Sequence, residues 1–327
     1  MPKKLFLVDG SNHAFRVQFA LPPMTAKNGF PTRALYGFTT LFAKVLREHQ
    51  PDYVAVCFDK GSTFRHEMYP EYKGHRPDMP EDLRQQWPHF QSLIEGFGCK
   101  YITLPGYEAD DVIGTLATRY ASECEVYLVT GDKDFTQLVT DRIHILDLMK
   151  NTELGPDDVV DKMGVPADKV IDLLGLVGDS SDNIPGIPGI GPKKAQQYLT
   201  KYGDLEGVLA NADDIGGKTG ERVKEHADNA RLSAKLATIE VNAPVELTLD
   251  DLEMTGMDED VLRPLFDEWE FGQVARKLLG SGEKKVVVSG YAVATEKSLA
   301  TLVAAARKAG RVAVGLHSVG ELPRTAE

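Results

Sequence analysis

The sequence predicts an α/β protein with a mainly parallel central sheet and helices on both faces, followed by a small all-helical domain containing a helix-hairpin-helix. Three observations lead there. Short apolar runs rich in β-branched and aromatic residues recur between longer helical patterns through about residue 155. Strands alternating with helices need crossover connections, and these give a parallel sheet covered on both sides. From about 156 to 280 the chain instead shows short helical stretches punctuated by Gly and Pro, without a strand pattern.

The expected strands are Leu5 to Val8, Tyr53 to Phe58, Lys100 to Leu104, Val126 to Val129 and Ile143 to Leu146. Between the first two, Ala34, Leu35, Phe38, Leu41, Phe42, Val45 and Leu46 recur at three and four residues, one face of a helix. Further helices are expected to begin near Pro80, Pro156, Pro166, Pro192 and Lys218. Gly280-Ser281-Gly282-Glu283 reads as a linker. Beyond it, Val286 to Val288 reads as a strand, Ser298 to Ala309 as a helix and Arg311 to Leu316 as a strand. Three elements cannot bury a core, so this piece reads as the truncated start of another domain. The expected domains are therefore 1–155, 156–280 and 281–327.

The length of 327 residues and the 42% hydrophobic content fit a globular protein with a sizeable core. Cys57, Cys99 and Cys124 form no close pair, which excludes a disulfide framework and a zinc ribbon and suits a reducing compartment. Leu5 to Val8 is too short for a signal-peptide core, and no run reaches the ~18 apolar residues of a membrane span. A cytoplasmic location is expected.

Lys and Arg number 37 against 49 Asp and Glu, a net charge of −12. Taken as a total, this argues against nucleic acid as a partner. The placement of the acids reverses that inference. Residues 241–270 hold ten acids and only Arg263, leaving −3 for the rest of the chain. Many of the other acids stand at strand ends. Asp9 and Asp59 each follow a strand, Glu108, Asp110 and Asp111 open the helix after the third, and Asp132 and Asp134 follow the fourth. In a parallel sheet all carboxyl ends share one edge, where such folds place their sites.

Singly, these acids are ordinary turn and helix-start residues. Together they need a cation, because carboxylates ~5 Å apart at an effective dielectric of 20 repel by about 3 kcal/mol per pair. An all-oxygen set without His or Cys points to Mg²⁺ or Mn²⁺, and more ligands than one ion requires point to two. Such a pair clamps the attacking and leaving oxygens in phosphodiester hydrolysis.

Asp179 and Asp182 form a further acidic group in Gly178-Asp179-Ser180-Ser181-Asp182-Asn183. The following Gly189-Ile190-Gly191-Pro192-Lys193-Lys194 fits a hairpin whose glycines permit a tight turn of backbone amides. With the helix N-terminus and the charges of Lys193 and Lys194, it can hold a backbone phosphate without reading sequence. Between Lys60 and Arg76, Arg65 and Lys73 alternate with Phe64, Tyr69 and Tyr72. Basic and aromatic residues beside an acidic site suit a grip on a single strand.

In order, Leu7-Val8-Asp9-Gly10, Phe58-Asp59, Phe64-Arg65-His66-Glu67, Tyr72-Lys73-x-x-Arg76, Gly106-Tyr107-Glu108-Ala109-Asp110-Asp111, Gly131-Asp132-Lys133-Asp134, Gly178-Asp179-x-x-Asp182-Asn183 and the glycine hairpin are all present. Over residues 4 to 280 this resembles the flap endonuclease family, in the form of the 5′-nuclease domain of bacterial DNA polymerase I. The resemblance implies a PIN-like nuclease fold and a two-metal enzyme, a 5′-3′ exonuclease and flap endonuclease, that removes 5′ flaps and RNA primers in replication and repair. It implies Asp9, Asp59, Glu108, Asp110 and Asp111 around a first ion and Asp132, Asp134, Asp179 and Asp182 around a second. Lys73 and Arg76 would lie in an arch at about 60–85 and offset charge on the scissile phosphate, while Arg65 and Tyr72 position the strand. Gly189, Gly191, Lys193 and Lys194 would hold duplex, and the hairpin could also take K⁺ through backbone carbonyls. Branched or nicked DNA and RNA primer–DNA hybrids are the implied partners of a monomer, whose 281–327 segment resembles the start of a 3′-5′ exonuclease-like domain. There Val314-Gly315-Leu316-His317-Ser318 stands in place of the acidic pair of a proofreading site, and polymerase domains are missing.

Two other readings stand beside this one. A PIN-class RNase would also cluster acids on an α/β sheet, though it would need neither the hairpin nor the helical domain. A catalytically silent branched-DNA-binding module would not need so many converging carboxylates.

Overall fold

The computed structural model describes residues 2–280 and isolated positions between 295 and 308. The expected strands at 286–288 and 311–316 lie outside the described residues. The expected helix at 298–309 is described only at Thr301, Val303, Ala304, Arg307 and Lys308, each helical.

Six strands form one sheet: β1 (Lys3–Asp9), β2 (Tyr53–Cys57), β3 (Lys100–Ile102), β4 (Cys124–Val129), β5 (Ile143–Asp147) and β6 (Thr152–Leu154). Their spatial order is β3-β2-β1-β4-β5-β6. The first five are parallel, with Leu5 opposite Tyr53 on one side and Val126 on the other. Only β6 runs antiparallel, through a turn in which Asn151 takes a left-handed φ of 53°. Its residues are exposed or half-buried, so it had no apolar run to reveal it in the sequence.

Side chains alternate across the sheet, and each face builds its own core. Leu5, Leu7, Ala55, Cys57, Val126 and Leu128 face α6 (Ala109–Tyr120), and the same core continues through α7 (Pro156–Met163), α8 (Val170–Val177), α9 (Pro192–Tyr202), α10 (Leu205–Ala210), α12 (Gly217–Glu225) and α13 (Ala227–Ala237). Phe6, Val8, Val54 and Val56 face α1 (Gly10–Ala20), α2 (Arg33–His49), α4 (Glu81–Gln86) and α5 (His89–Gly96). Of the apolar positions expected on α2, all are buried except Leu41, which is half-buried. The chain turns from β1 into α1 across the Phe58 ring, and a Cβ on Gly10 would overlap that ring. Only glycine fits that turn without displacing the ring.

The expected helix starts at Pro156 and Pro192 are the first residues of α7 and α9, and α12 begins at Gly217. After Pro166 the chain makes a short 3₁₀ turn before α8.

One expectation differs from the structure. The last forty residues of the segment 156–280 do not stay with the helical part. Arg119 Nη1 donates to the carbonyls of Val245 (2.9 Å) and Leu247 (3.2 Å), and the Asp258 N–H donates to Gly96 O at 2.7 Å. Then α14 (Glu259–Glu268) and α15 (Gly272–Leu279) return Leu262, Phe266, Trp269 and Phe271 to the second-face core. Residues 2–280 accordingly fall within one compact unit. The acidic block 241–270 is thus a return strap, with Ala243, Val245, Leu252, Leu262, Phe266 and Trp269 buried and its ten acids exposed.

Candidate active site

The connection from β1 leads toward β2 while that from β3 leads to β4 on the opposite side, so the strand order reverses between β1 and β4. In open α/β sheets the crevice at such a reversal is where ligands bind. Asp9 ends β1, Asp132 and Asp134 follow β4, Asp59 follows β2, and Glu108 and Asp110 open α6.

A hydrogen-bond chain fixes these acids. Asp9 is buried; its Oδ1 accepts from the Asn12 N–H (3.0 Å), capping α1, and its Oδ2 from Thr130 Oγ1 (2.9 Å). Thr130 Oγ1 in turn accepts from the Asp132 N–H, and Asp132 Oδ1 accepts from the Asp134 N–H at 2.9 Å. Asp59 Oδ1 accepts from the Ala109 N–H at 2.9 Å, which joins the β2 end to α6. Turn chemistry thus sets Asp9 and Asp132 from the N–H groups of their own loops, while Asp59 is set from α6.

What the chain leaves uncompensated is charge. Burial first, then repulsion from Asp59 and Asp132, pushes the Asp9 carboxyl up to about 7. Burial and Asp132 push Asp134 up to about 7, with Lys133 opposing. Asp110 is raised well above the carboxylate range by burial, Asp9, Asp132 and Glu108. Asp134 Oδ1 is buried and accepts no hydrogen bond. A hard cation satisfies all of these deficits, and an oxygen-only donor set is the one Mg²⁺ and Mn²⁺ prefer. Among the described residues no three such donors close around a single point.

Cations of the chain lie on several of the same carboxylates. Lys73 Nζ donates to Glu108 Oε1 at 2.7 Å and stands 3.6 Å from Asp182 Oδ2. Burial alone would lower the Lys73 ammonium, but Glu108, Tyr72 and Asp182 reverse this and raise it. Arg76 pairs with Asp182, and Lys133 with Asp179. Lys73 holds a left-handed φ of 54°, an unfavourable conformation for a residue with a side chain. It is fixed there by its own N–H on Asp182 O (2.9 Å), while Asn183 Nδ2 donates to Glu71 O at 2.7 Å. The segment expected as an arch is therefore strapped to the loop that enters the hairpin.

Three expectations are corrected. Arg65 does not reach toward a strand. Its side chain is 2% exposed, and its guanidinium grips both oxygens of Asp111 at 2.8 and 2.7 Å while donating to Leu236 O and Thr238 O. Asp111, fully buried, also accepts from the N–H groups of Glu108 and Glu240, so its lone pairs are spent and it is not free to hold an ion. Tyr72 is 3% exposed and presents no face for a base to stack on. Its hydroxyl lies 3.1 Å from Glu108 Oε2 and 3.3 Å from Asp182 Oδ2 and so positions those acids.

The hairpin follows the loop that carries Asp179 and Asp182. Gly189 takes a φ of 82°, Gly191 caps α9 under open space, and Lys193 and Lys194 are exposed. Lys194 Nζ donates to Gly189 O at 3.3 Å. Sequence reasoning missed Arg222, whose guanidinium packs on Gly189 and donates to Pro188 O at 3.5 Å. Nothing local marks a residue 34 positions away. Lys133 was also passed over, although a cation between two assigned acids was a visible signal.

Comparison with known proteins identifies a family. Residues 4–164 match the family described as 5′-3′ exonuclease, N-terminal resolvase-like domain, and residues 165–260 match 5′-3′ exonuclease, C-terminal SAM fold. DNA polymerase I of Bacillus caldotenax is 43% identical over 286 residues, which cover 85% of this chain and 32% of the relative. A 5′-3′ exonuclease of Aquifex aeolicus is 35% identical over 278 residues, covering 84% of this chain and 95% of the relative. The chain thus spans about a third of that polymerase and nearly all of that exonuclease. Among solved structures, the bacteriophage T5 flap endonuclease complexed with DNA and metal ions has a TM-score of 0.60 at 19% identity, over 85% of this chain and 98% of that one, a likeness of fold. With both of its parts matched in order, the chain belongs to the 5′-3′ exonuclease family.

Proposed function

We propose that this chain hydrolyses phosphodiester bonds at 5′ ends and at the base of 5′ flaps in duplex DNA, using two Mg²⁺ or Mn²⁺ ions. The observation that carries the proposal is the set of crowded carboxylates at the sheet's reversal point, with Asp134 Oδ1 buried and accepting no hydrogen bond. Asp9, Asp59, Glu108 and Asp110 would hold the first ion and Asp132, Asp134, Asp179 and Asp182 the second. When bound, such ions make a water a better nucleophile and offset charge on the reacting phosphate.

The chain's own groups do the rest. Lys73 and Arg76 stand beside the acids and offer positive charge to the substrate phosphate. Tyr72 and the Arg65–Asp111 pair hold the acids in place. The hairpin, with Lys193 and Lys194, holds duplex by its backbone, and K⁺ bound by the hairpin carbonyls would add to that grip. Nicked or branched DNA and RNA primer–DNA hybrids are the substrates, and primer removal and repair the roles, of a monomer. A reducing cytoplasm suits three buried free cysteines. In a longer protein of the polymerase I type, synthesis would belong to the remaining domains.

A labelled 5′-flap duplex tests the proposal. With Mg²⁺ or Mn²⁺ the product should end near the flap junction, and chelator should abolish it. A duplex that is bound but left intact with either ion, across several pH values, would overturn the reading.

A further inference from the structure

We infer that Lys133 is a tethered counter-cation that occupies the second divalent-ion position in the metal-free chain and must be displaced for that ion to enter. The inference rests on the reading that Asp134 and Asp179 hold a divalent ion.

Lys133 sits in the turn after β4, between Asp132 and Asp134. Its ammonium donates to Asp179 Oδ2, and Asp179 lies in the loop after α8. One cation thus joins two separate segments. The same nitrogen stands 3.9 Å from Asp134 Oδ1, the buried oxygen that accepts no hydrogen bond. That separation is too long for a hydrogen bond but close enough for Coulomb attraction. The ammonium therefore offsets part of the charge at Asp134 and leaves the oxygen free for a ligand bond. Asp179 Oδ1 is held by the Ser181 N–H (2.8 Å) and hydroxyl (2.6 Å), which leaves Oδ2 as the oxygen that lysine and ion would share.

The exposures favour exchange. The Lys133 side chain is 42% exposed against 6% for Asp179, so the lysine can swing into water while the carboxylate stays. Lys73 is 20% exposed and held by both Glu108 and Asp182, a firmer seat. A partly exposed pair contributes about 1 kcal/mol at most. Occupancy by the ammonium lowers the apparent affinity for the ion by the fraction of chains it blocks.

The test titrates the metal-free chain with Mn²⁺ by isothermal calorimetry, and follows its thermal unfolding with and without saturating Mn²⁺. Lys133→Met keeps the apolar stem and removes the charge; Lys133→Arg keeps the charge. Lys133→Met should bind Mn²⁺ about fivefold more tightly than the unsubstituted chain. It should melt lower without ions, and the gap should close when Mn²⁺ is added. Lys133→Arg should track the unsubstituted chain. If that chain binds Mn²⁺ and Lys133→Met binds it no more tightly, or melts lower by the same amount with and without the ion, the inference fails while the site reading stands. If the unsubstituted chain takes up no divalent ion, both fail.

Discussion

Asp110 and Asp111 are neighbours in sequence and opposites in environment. Asp111 is sealed beneath the site, with both oxygens on the Arg65 guanidinium. Asp110, about 100° around the same helical turn, meets the charges of Asp9, Asp132 and Glu108, which outweigh the opposing charge of Lys73. The difference separates two uses of buried charge. A carboxylate whose lone pairs are filled by Arg and N–H donors is scaffold, whereas one surrounded by other carboxylates waits for an ion. Crowding in sequence does not make that distinction, and compensation in space does.

The largest effect that would break the comparison is on catalysis. Asp110→Asn or Asp134→Asn should lower flap cleavage by about 10²–10³-fold or more while the metal-free chain remains folded. Duplex binding in a gel-shift assay should persist, because repulsion of the phosphate is relieved. Loss of binding in step with cleavage would make these acids structural.

On the sealed side, Arg65→Ala should cost about 3–5 kcal/mol of stability in urea unfolding, since it strands the buried Asp111. The joint replacement Arg65→Met with Asp111→Leu should recover much of that loss. A single substitution without effect would mean that the pair does not join α6 to the end of α13.

The two environments also differ in pH response. Asp9 and Asp134, raised from 3.8 to about 7, bind protons more tightly in the folded chain than in the unfolded one. Their contribution therefore falls as pH rises from about 4 to about 7 and is flat above. His13 opposes this, because its lowered value of about 4 favours the folded chain above pH 6.5. In chelator, Asp134→Asn should consequently gain melting temperature relative to the unsubstituted chain at pH 8 and lose that advantage at pH 4. Saturating Mg²⁺ should reverse the ranking at pH 8. Asp111→Asn should show no such gain at either pH.

The smallest effect lies at the hairpin. Replacing Lys193 and Lys194 together by Ala should weaken duplex binding severalfold and reduce its salt slope by about 2. Binding measured against salt concentration checks it, and an unchanged slope would remove this turn from the DNA path.

Much of this molecule is legible in its sequence because the signals are local. The apolar runs at Leu5 and Tyr53 mark strands, each followed by an acid, and a parallel sheet brings strand ends to one edge. The glycines and Pro192 mark the start of α9 in the same way. What escaped depends on distant partners. Arg65 reads as a grip on DNA until Asp111 and the carbonyls of Leu236 and Thr238 are seen around it. Tyr72 reads as a stacking surface until burial removes its face. The acids of 241–270 hide the apolar stripe that returns Leu262, Phe266 and Trp269 to the core beside β1 and β2. Charge composition reports how many acids a chain has, and only the fold reports which are already answered.

The most direct measurement is a Mn²⁺ titration of Asp110→Asn beside Asp111→Asn, with the melting temperature of each recorded in chelator. The account predicts that Asp110→Asn loses Mn²⁺ affinity and melts no lower than the unsubstituted chain, whereas Asp111→Asn melts lower and, while folded, still binds Mn²⁺. The reverse pattern would contradict it.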